Sequence, residues 1–444
     1  MINQNKSGTE NPQGNKQLPL ITETLTYEDV EQKVLDFLPG YRIGLKLILA
    51  VAVSSQFENP HMLWLLLVGA PSSGKTDLVR LIKDSDIAFY LDNLTQNAFI
   101  SGERATASHK VYDLLPLINK KTLIIKDWTA IFSLDEKMTR KILGDLVGIY
   151  DKEFSKFSSR RGNISYVSSF SQLGAITPST LNKHSSYMNM VGPRFLCYIM
   201  PEATQKDKDN SYEIIFSNSD RSALELEARK YTSSYLKQLS QKKVEIKDFD
   251  DSVQSYFKIA SELVAQCRGI VSLQAVSFKD KDGTEVKYYD VSDIQVESPW
   301  RAVQQLIMLS RYLAFVADKS SVGSEELQII KDVVLSSMPA DRAQALRFIK
   351  LHNGQITAKE LSELSDRSSK TSRRLLDELC ALKVLDKIKG SGITATDYKI
   401  NEKYSEFILL SPFEFLQNAS GTENPQGIND LTEEEIKDIF SQNI

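Results

Sequence analysis

Apolar residues recur along this chain in two rhythms. Between Met62 and Met200 they form short continuous runs, at Met62 to Val68, Thr122 to Ile125, Leu173 to Ile176 and Phe195 to Met200. Helical patterns such as Leu134 to Tyr150 separate these runs, as βαβ units around a buried parallel sheet require. Upstream, the Thr26 hydroxyl can cap a helix that ends before Pro39-Gly40, and Tyr41 to Ser55 reads as a second helix. Beyond Phe216 the helical rhythm takes over, through Arg221 to Leu239, Ser252 to Val271 and Pro299 to about Val316. Polar residues from Glu202 to Ser211 separate the two regions, and Lys279-Asp-Lys-Asp-Gly283 reads as a turn between β-prone pieces.

A compact module closes the pattern. Asp341 to His352, Thr357 to Leu364 and Ser369 to Leu382 read as short helices, and Val384 to Ile388 with Thr394 to Ile400 reads as a hairpin about Lys389-Gly-Ser-Gly392. That order is the one expected of a winged helix-turn-helix. The expected fold class is α/β, divided into a disordered tail (1–24), N-terminal helices (25–58), an α/β core (59–201), a helical lid (202–338), a winged helix-turn-helix (339–410) and a C-terminal tail (411–444). Ser7-Gly-Thr-Glu-Asn-Pro-Gln-Gly14 recurs identically as 420–427, and each copy precedes a Leu-Thr helix start. A duplication that left two polar tails accounts for this, and a docking peptide is the alternative.

Composition narrows the picture only slightly. The 444 residues are 41% hydrophobic with a net charge of -4, so any nucleic-acid surface must be local. The 3 cysteines and 4 histidines lack metal-ligand spacing, as in a reduced cytoplasmic protein without structural zinc. Residues 1–20 carry no apolar signal core, and Leu47 to Val53 and Met62 to Val68 are too short to span a bilayer, so neither export nor a membrane partner is expected.

Candidate chemistry changes the picture more. Gly69-Ala-Pro71-Ser72-Ser73-Gly74-Lys75-Thr76 directly follows an apolar run and has phosphate-loop spacing. A strand, a glycine turn and a helix let backbone N–H groups surround phosphates, put Lys75 on the β/γ-phosphates and leave the Thr76 hydroxyl for Mg²⁺. The expected ligand is ATP or GTP. A metal-orienting carboxylate belongs at the end of a neighbouring strand, where Asp127 follows Thr122 to Ile125. Trp128 occupies the place of the usual water-activating glutamate, which leaves the base unassigned.

The core resembles AAA+ ATPases, most nearly those of bacterial phages and mobile elements, with a more distant likeness to the minichromosome maintenance helicases. The likeness rests on Gly69 to Thr76, Leu123 to Thr129, Ile149-Tyr-Asp151, Leu173 to Pro178, Gly192-Pro-Arg-Phe-Leu196 and Glu297-Ser-Pro-Trp-Arg301, and covers about Pro60 to Met338. It implies ATP and Mg²⁺ as cofactors, Thr177 as a γ-phosphate sensor and Arg194 as an arginine finger reaching a neighbouring subunit's nucleotide. It also implies Arg301 as a second sensor brought to the phosphates by lid movement. Tyr198-Ile-Met200 departs from the pattern, because a basic residue is expected there.

Two basic stretches suit nucleic acid. Lys152 to Ser168 lies where related helicases carry a channel hairpin, and Lys156, Arg160 and Arg161 are interleaved there with Phe154 and Phe157. Arg367, Lys370, Arg373, Arg374 and Lys389 line the third helix and the wing of the C-terminal module, beside Lys383 and Lys387. Solvated surfaces and a protein-docking winged helix are the plainer alternatives. The expected function is ATP hydrolysis coupled to DNA handling by a ring-forming homo-oligomer. A replication helicase, initiator or loader of a phage or mobile element is the specific form, with replication proteins as possible partners. An ATP-regulated transcriptional switch and a protein remodeller remain the alternatives.

Overall fold

The computed structural model describes residues 19–104, 106, 110–184, 187, 191–216, 220–279, 285–388 and 396–420. Lys389, the wing turn, the first octapeptide copy and all but the first residue of the second lie outside them. Two helices lead in, α1 (Tyr27–Phe37) and α2 (Arg42–Ser54). The central region runs β1 (Trp64–Val68), α3 (Lys75–Arg80), β2 (Ala88–Leu91), α4 (Leu114–Ile118), β3 (Thr122–Ile125), α5 (Thr129–Phe132), α6 (Glu136–Ile149), β4 (Glu153–Ser158), β5 (Gly162–Val167), β6 (Ser171–Ile176), α7 (Pro178–Lys183) and β7 (Phe195–Ile199).

Five strands form one parallel sheet in the order β2-β3-β6-β1-β7, and β4 and β5 pair as a separate antiparallel hairpin. Every residue of β1 is buried, as expected when helices cover both faces of a parallel sheet. Alternation along β1 sends Trp64, Leu66 and Val68 into a cluster with Trp128, Leu146 and Phe195, while Leu65 and Leu67 face the opposite layer with Ile48, Val51 and Leu309. α2 is fixed to the second face by the Thr122 hydroxyl, which donates to the Ala52 carbonyl at 3.1 Å.

After the sheet come α8 (Gln205–Phe216), α9 (Arg221–Gln241), α10 (Asp251–Arg268), the paired strands β8 (Ile270–Lys279) and β9 (Glu285–Gln295), α11 (Trp300–Val316) and α12 (Ser324–Ser336). The polar stretch expected as a break is instead the start of α8. Thr204 and Asp207 exchange capping hydrogen bonds at its N-terminus, so local chemistry makes a helix that buries no residue. Leu236 of α9, Leu263 of α10 and Leu309 of α11 share one apolar cluster with Val30, Val34 and Ile48 of the N-terminal helices. Lys46 on α2, 2% exposed, bonds Glu326 on α12, 0% exposed, at 2.9 Å.

The last region contains α13 (Ala340–Leu351), β10 (Gln355–Thr357), α14 (Ala358–Ser365), α15 (Ser369–Ala381), β11 (Leu385–Ile388), β12 (Asp397–Ile400), α16 (Glu402–Leu409) and α17 (Pro412–Ser420). Its strands form an antiparallel sheet in the order β10-β12-β11. Both expected tails include described residues that pack against helices. The Ile21 N–H donates to Ser234 and the Leu25 N–H to Gln238, strapping 21–25 along α9. Phe415 of α17 is buried, edge-on to Tyr256. Among the described residues, no helix is long and apolar enough to cross a membrane.

Candidate nucleotide site

The loop after β1 leaves the sheet at its carboxyl edge, the side on which open parallel sheets bind ligands. The Gly69 N–H donates to the Ile176 carbonyl at 3.1 Å, so the loop starts in register with the end of β6. A Cβ on Gly69 would stand 2.6 Å from Ser73 Oγ, so that hydroxyl would have to rotate away to admit one. Gly74 caps α3 in the left-handed region, at φ 69°, which only glycine adopts without strain. Ser72 is also left-handed, at φ 62°, a strain of the kind held at functional loops.

Lys75 is 7% exposed, and its ammonium donates to the Ala70 carbonyl of the same loop at 2.7 Å. Burial pushes its pKa below the usual lysine value, and the negative charge of Asp127 opposes that shift. Ser73 Oγ is buried without a hydrogen-bond partner. A glycine cradle, a buried lysine and an orphaned hydroxyl at the start of a helix together fit a polyphosphate chain. The Tyr41 hydroxyl donates to the Ser73 carbonyl at 2.6 Å, a contact that the phosphate-loop pattern gives no sign of.

Asp127 ends β3 at the same edge, but its strand is not the loop's neighbour, because β6 lies between β3 and β1. Two strand spacings place the β3 and β1 backbones about 10 Å apart. Side chains from both sides can close that gap on a hydrated Mg²⁺, which keeps several waters when bound. Asp127 accepts from the Thr129 N–H at 2.8 Å, which orients its carboxylate, and Thr129 Oγ1 is buried without a partner. Thr76 and Asp127 are therefore the residues that would hold the ion. Among the described residues, no group of three or more His, Cys, Asp or Glu side chains forms a metal site of its own.

The intervening β6 carries Thr177 at its tip, between the loop and Asp127. The Thr177 hydroxyl lies 2.8 Å from Thr180 Oγ1 and accepts from the Thr180 N–H at 3.3 Å, so it caps α7. Trp128 is fully buried between Phe132 and Phe195, and its backbone N–H donates to the Ala175 carbonyl at 2.8 Å. It is a core residue and supplies no base.

Arg194 and Arg301 sit elsewhere. Arg194 precedes β7, and the register Trp64 to Phe195 puts it at the amino edge of the sheet. Both guanidinium groups lie over the ring of Tyr150, at 5.6 Å for Arg194 and 5.5 Å for Arg301. The Tyr150 hydroxyl donates to the Met62 carbonyl, just ahead of β1, and accepts from Gln305 Nε2, each at 2.8 Å. Burial and then the neighbouring Arg301 charge push the Arg194 pKa down. The five residues of β1, about 13 Å of strand, separate this pair from the chain's own phosphate loop. Arg301 stands at the start of α11, which is packed along α2 with Leu306 and Leu309 buried.

The basic stretches divide in the same manner. Lys156 donates to Asn97 Oδ1 at 3.0 Å and to the Ile100 carbonyl at 2.9 Å. Arg161 bonds Asp113 at 2.9 Å, and Asp113 also accepts from the Tyr166 hydroxyl. Lys156 and Arg161 thus tie the β4–β5 hairpin to Asn97, Ile100 and Asp113, while Arg160 is exposed and Phe157 is 77% exposed. In the C-terminal module Arg367 bonds Gln344 at 3.0 Å, and Arg374 pairs with Glu378 at 3.1 Å. Lys370 and Arg373 are exposed at the start of α15 and form no ion pair with a described residue. No protein-family model matches this chain, and no curated protein sequence matches it.

Proposed function

We propose that this chain is an AAA+ ATPase that couples ATP hydrolysis to DNA handling, with its catalytic site completed between subunits. The carrying observation is the division of the sheet, with Gly69–Thr76, Thr177 and Asp127 at its carboxyl edge and Arg194 and Arg301 at the other. An arginine that far from its own loop suits a role on the nucleotide of a second copy. In this reading the loop N–H groups and Lys75 would hold the β- and γ-phosphates, and Thr76 and Asp127 would hold Mg²⁺, which would offset phosphate charge. A neighbouring Arg194 then offsets charge on the transferring phosphoryl group. Water attacks the γ-phosphorus, and the products are ADP and inorganic phosphate. The helices after 202 act as the lid, and residues 339–410 act as a winged helix whose exposed Lys370 and Arg373 meet phosphates.

The test mixes two inactive proteins, Lys75→Ala and Arg194→Ala. Sites that pair an intact loop from one with an intact arginine from the other should regain ATPase activity, and a mixture that stays inactive would overturn the shared site. On a forked DNA substrate, unwinding abolished by Lys75→Ala supports a helicase. DNA binding without unwinding supports the regulatory switch.

A further inference from the structure

We propose that Tyr41 is a positioning residue of the phosphate loop, whose hydroxyl fixes the direction in which the Gly74 N–H points. The proposal rests on the reading of Gly69–Thr76 as a nucleotide site and adds a residue that the phosphate-loop pattern does not contain.

Tyr41 acts on the peptide joining Ser73 and Gly74. The carbonyl oxygen of that peptide accepts from the Tyr41 hydroxyl at 2.6 Å, a short and part-buried hydrogen bond. In a trans peptide the C=O and the following N–H point in opposite directions within one rigid plane. A carbonyl held on Tyr41 therefore turns the Gly74 N–H to the side of the loop facing away from the tyrosine. A phosphate loop works through the aim of such N–H groups, so a bond that sets one of them contributes to affinity without touching the ligand.

The surroundings are built for this contact. Gly74 has no side chain where the tyrosine approaches; a Cβ there would lie 2.8 Å from the Tyr41 hydroxyl oxygen and 2.9 Å from Cζ. Tyr41 follows Gly40, whose φ of 84° makes the turn between α1 and α2. A Cβ on Gly40 would strike the Asp207 carboxylate at 2.8 Å. Burial raises the Tyr41 pKa, Asp77 and Asp207 add to the rise and Arg221 opposes it, so the phenol remains a donor at neutral pH. Arg221 also bonds Asp77 at 3.2 Å and lies 5.0 Å from the Phe37 ring centre. The end of α1, the first turn of α3 and the start of α9 thus meet around the tyrosine.

Tyr41→Phe retains the ring and deletes only the donor. Affinities would be measured by displacement of a fluorescent ADP analogue, using Mg-ATP, inorganic triphosphate and adenosine as competitors. Loss of one net hydrogen bond predicts about fivefold weaker binding of Mg-ATP and of inorganic triphosphate. Adenosine affinity should stay unchanged, and the melting temperature of the nucleotide-free protein should fall only slightly, as loss of one part-buried hydrogen bond requires. Equal weakening for adenosine would place Tyr41 at the base and overturn the proposal. Unchanged triphosphate affinity, in a protein whose binding Lys75→Ala still abolishes, would overturn it and leave the nucleotide site intact. A wild-type protein that binds no nucleotide would overturn both.

Discussion

Gly174 lies directly against the indole of Trp128, where a Cβ would stand 2.4 Å from both Cδ1 and Nε1. The pair explains why the residue after Asp127 is no carboxylate: the space beside β6 is filled by an aromatic side chain of the core. Gly174→Ala should cost about 1–3 kcal/mol by overpacking. Trp128→Ala should cost about 3–5 kcal/mol through the cavity it leaves. Trp128→Glu should be at least as destabilising and should not raise the ATPase rate, because a buried carboxylate without a partner is disfavoured. Denaturant unfolding and a steady-state phosphate-release assay check these outcomes.

Four of the five strands of the sheet, β1, β3, β6 and β7, are legible in the sequence because their apolar runs are short, continuous and bounded, and the glycine turn after β1 because its residues are contiguous; β2 is not among the runs that the pattern picks out. Strand order is not legible, since nothing in Thr122 to Ile125 says that β6 will come between it and β1. α8 is hidden by a composition that buries nothing, and its capping pair at Thr204 and Asp207 is the local signal that could reveal it. Basic residues are easy to find and hard to sort. Arg161 and Arg160 are adjacent in sequence, yet one reaches Asp113 and the other faces solvent. Tyr41 leaves no trace, because its hydrogen bond to Ser73 joins segments 32 residues apart.

Lys331 gives the stability of the chain a slope at mildly alkaline pH. It is 4% exposed, its ammonium donates to the carbonyls of Leu410 and Ile408, and the Phe407 ring lies 5.5 Å away. Burial and then the charge of Lys350 push its pKa down to about 7, against opposing effects of Asp332 and Glu414. In the unfolded chain a lysine titrates near 10.4, so between about 7 and 10.4 the unfolded state binds the additional proton. Stability therefore rises with pH through that window, and the penalty is complete below it. Lys331→Met should flatten the rise, as read from melting temperatures at intervals from about pH 6.5 to 10.

The cluster joining α2 to α12 responds at the acidic end. Lys46 pairs with Glu325 at 2.8 Å and Glu326 at 2.9 Å, and Lys319 also bonds both carboxylates. Burial raises the Glu325 pKa, but the lysine partners outweigh it and bring the group down to about 2; Glu326 is lowered by the same partners. Stability from these carboxylates is present above the ordinary glutamate value near 4.3 and is lost as pH falls from there toward about 2. Glu325→Gln combined with Glu326→Gln should remove that part of the acid transition in tryptophan fluorescence. Lys46→Met, which leaves a fully buried carboxylate short of a partner, should cost about 3 kcal/mol at pH 7.

The basic residues of the C-terminal module should separate into two classes under mutation. Lys370 and Arg373 are exposed and form no ion pair among the described residues, whereas Arg367 holds Gln344 and Arg374 holds Glu378. Glu378 in turn bonds Arg342, whose guanidinium also donates to the Cys267 and Gly269 carbonyls. If the module meets a duplex through α15, removing each side chain that neutralises a phosphate should reduce the slope of log K against log salt by about 0.9. Lys370→Ala with Arg373→Ala should then lower the slope by about 2 at unchanged melting temperature. Arg367→Ala should lower the melting temperature and leave the slope nearly intact, because its guanidinium is occupied within the protein. Fluorescence anisotropy on a labelled duplex across a salt series gives both slopes. A double variant that binds as wild type at every salt concentration would rule out α15 as the contact surface.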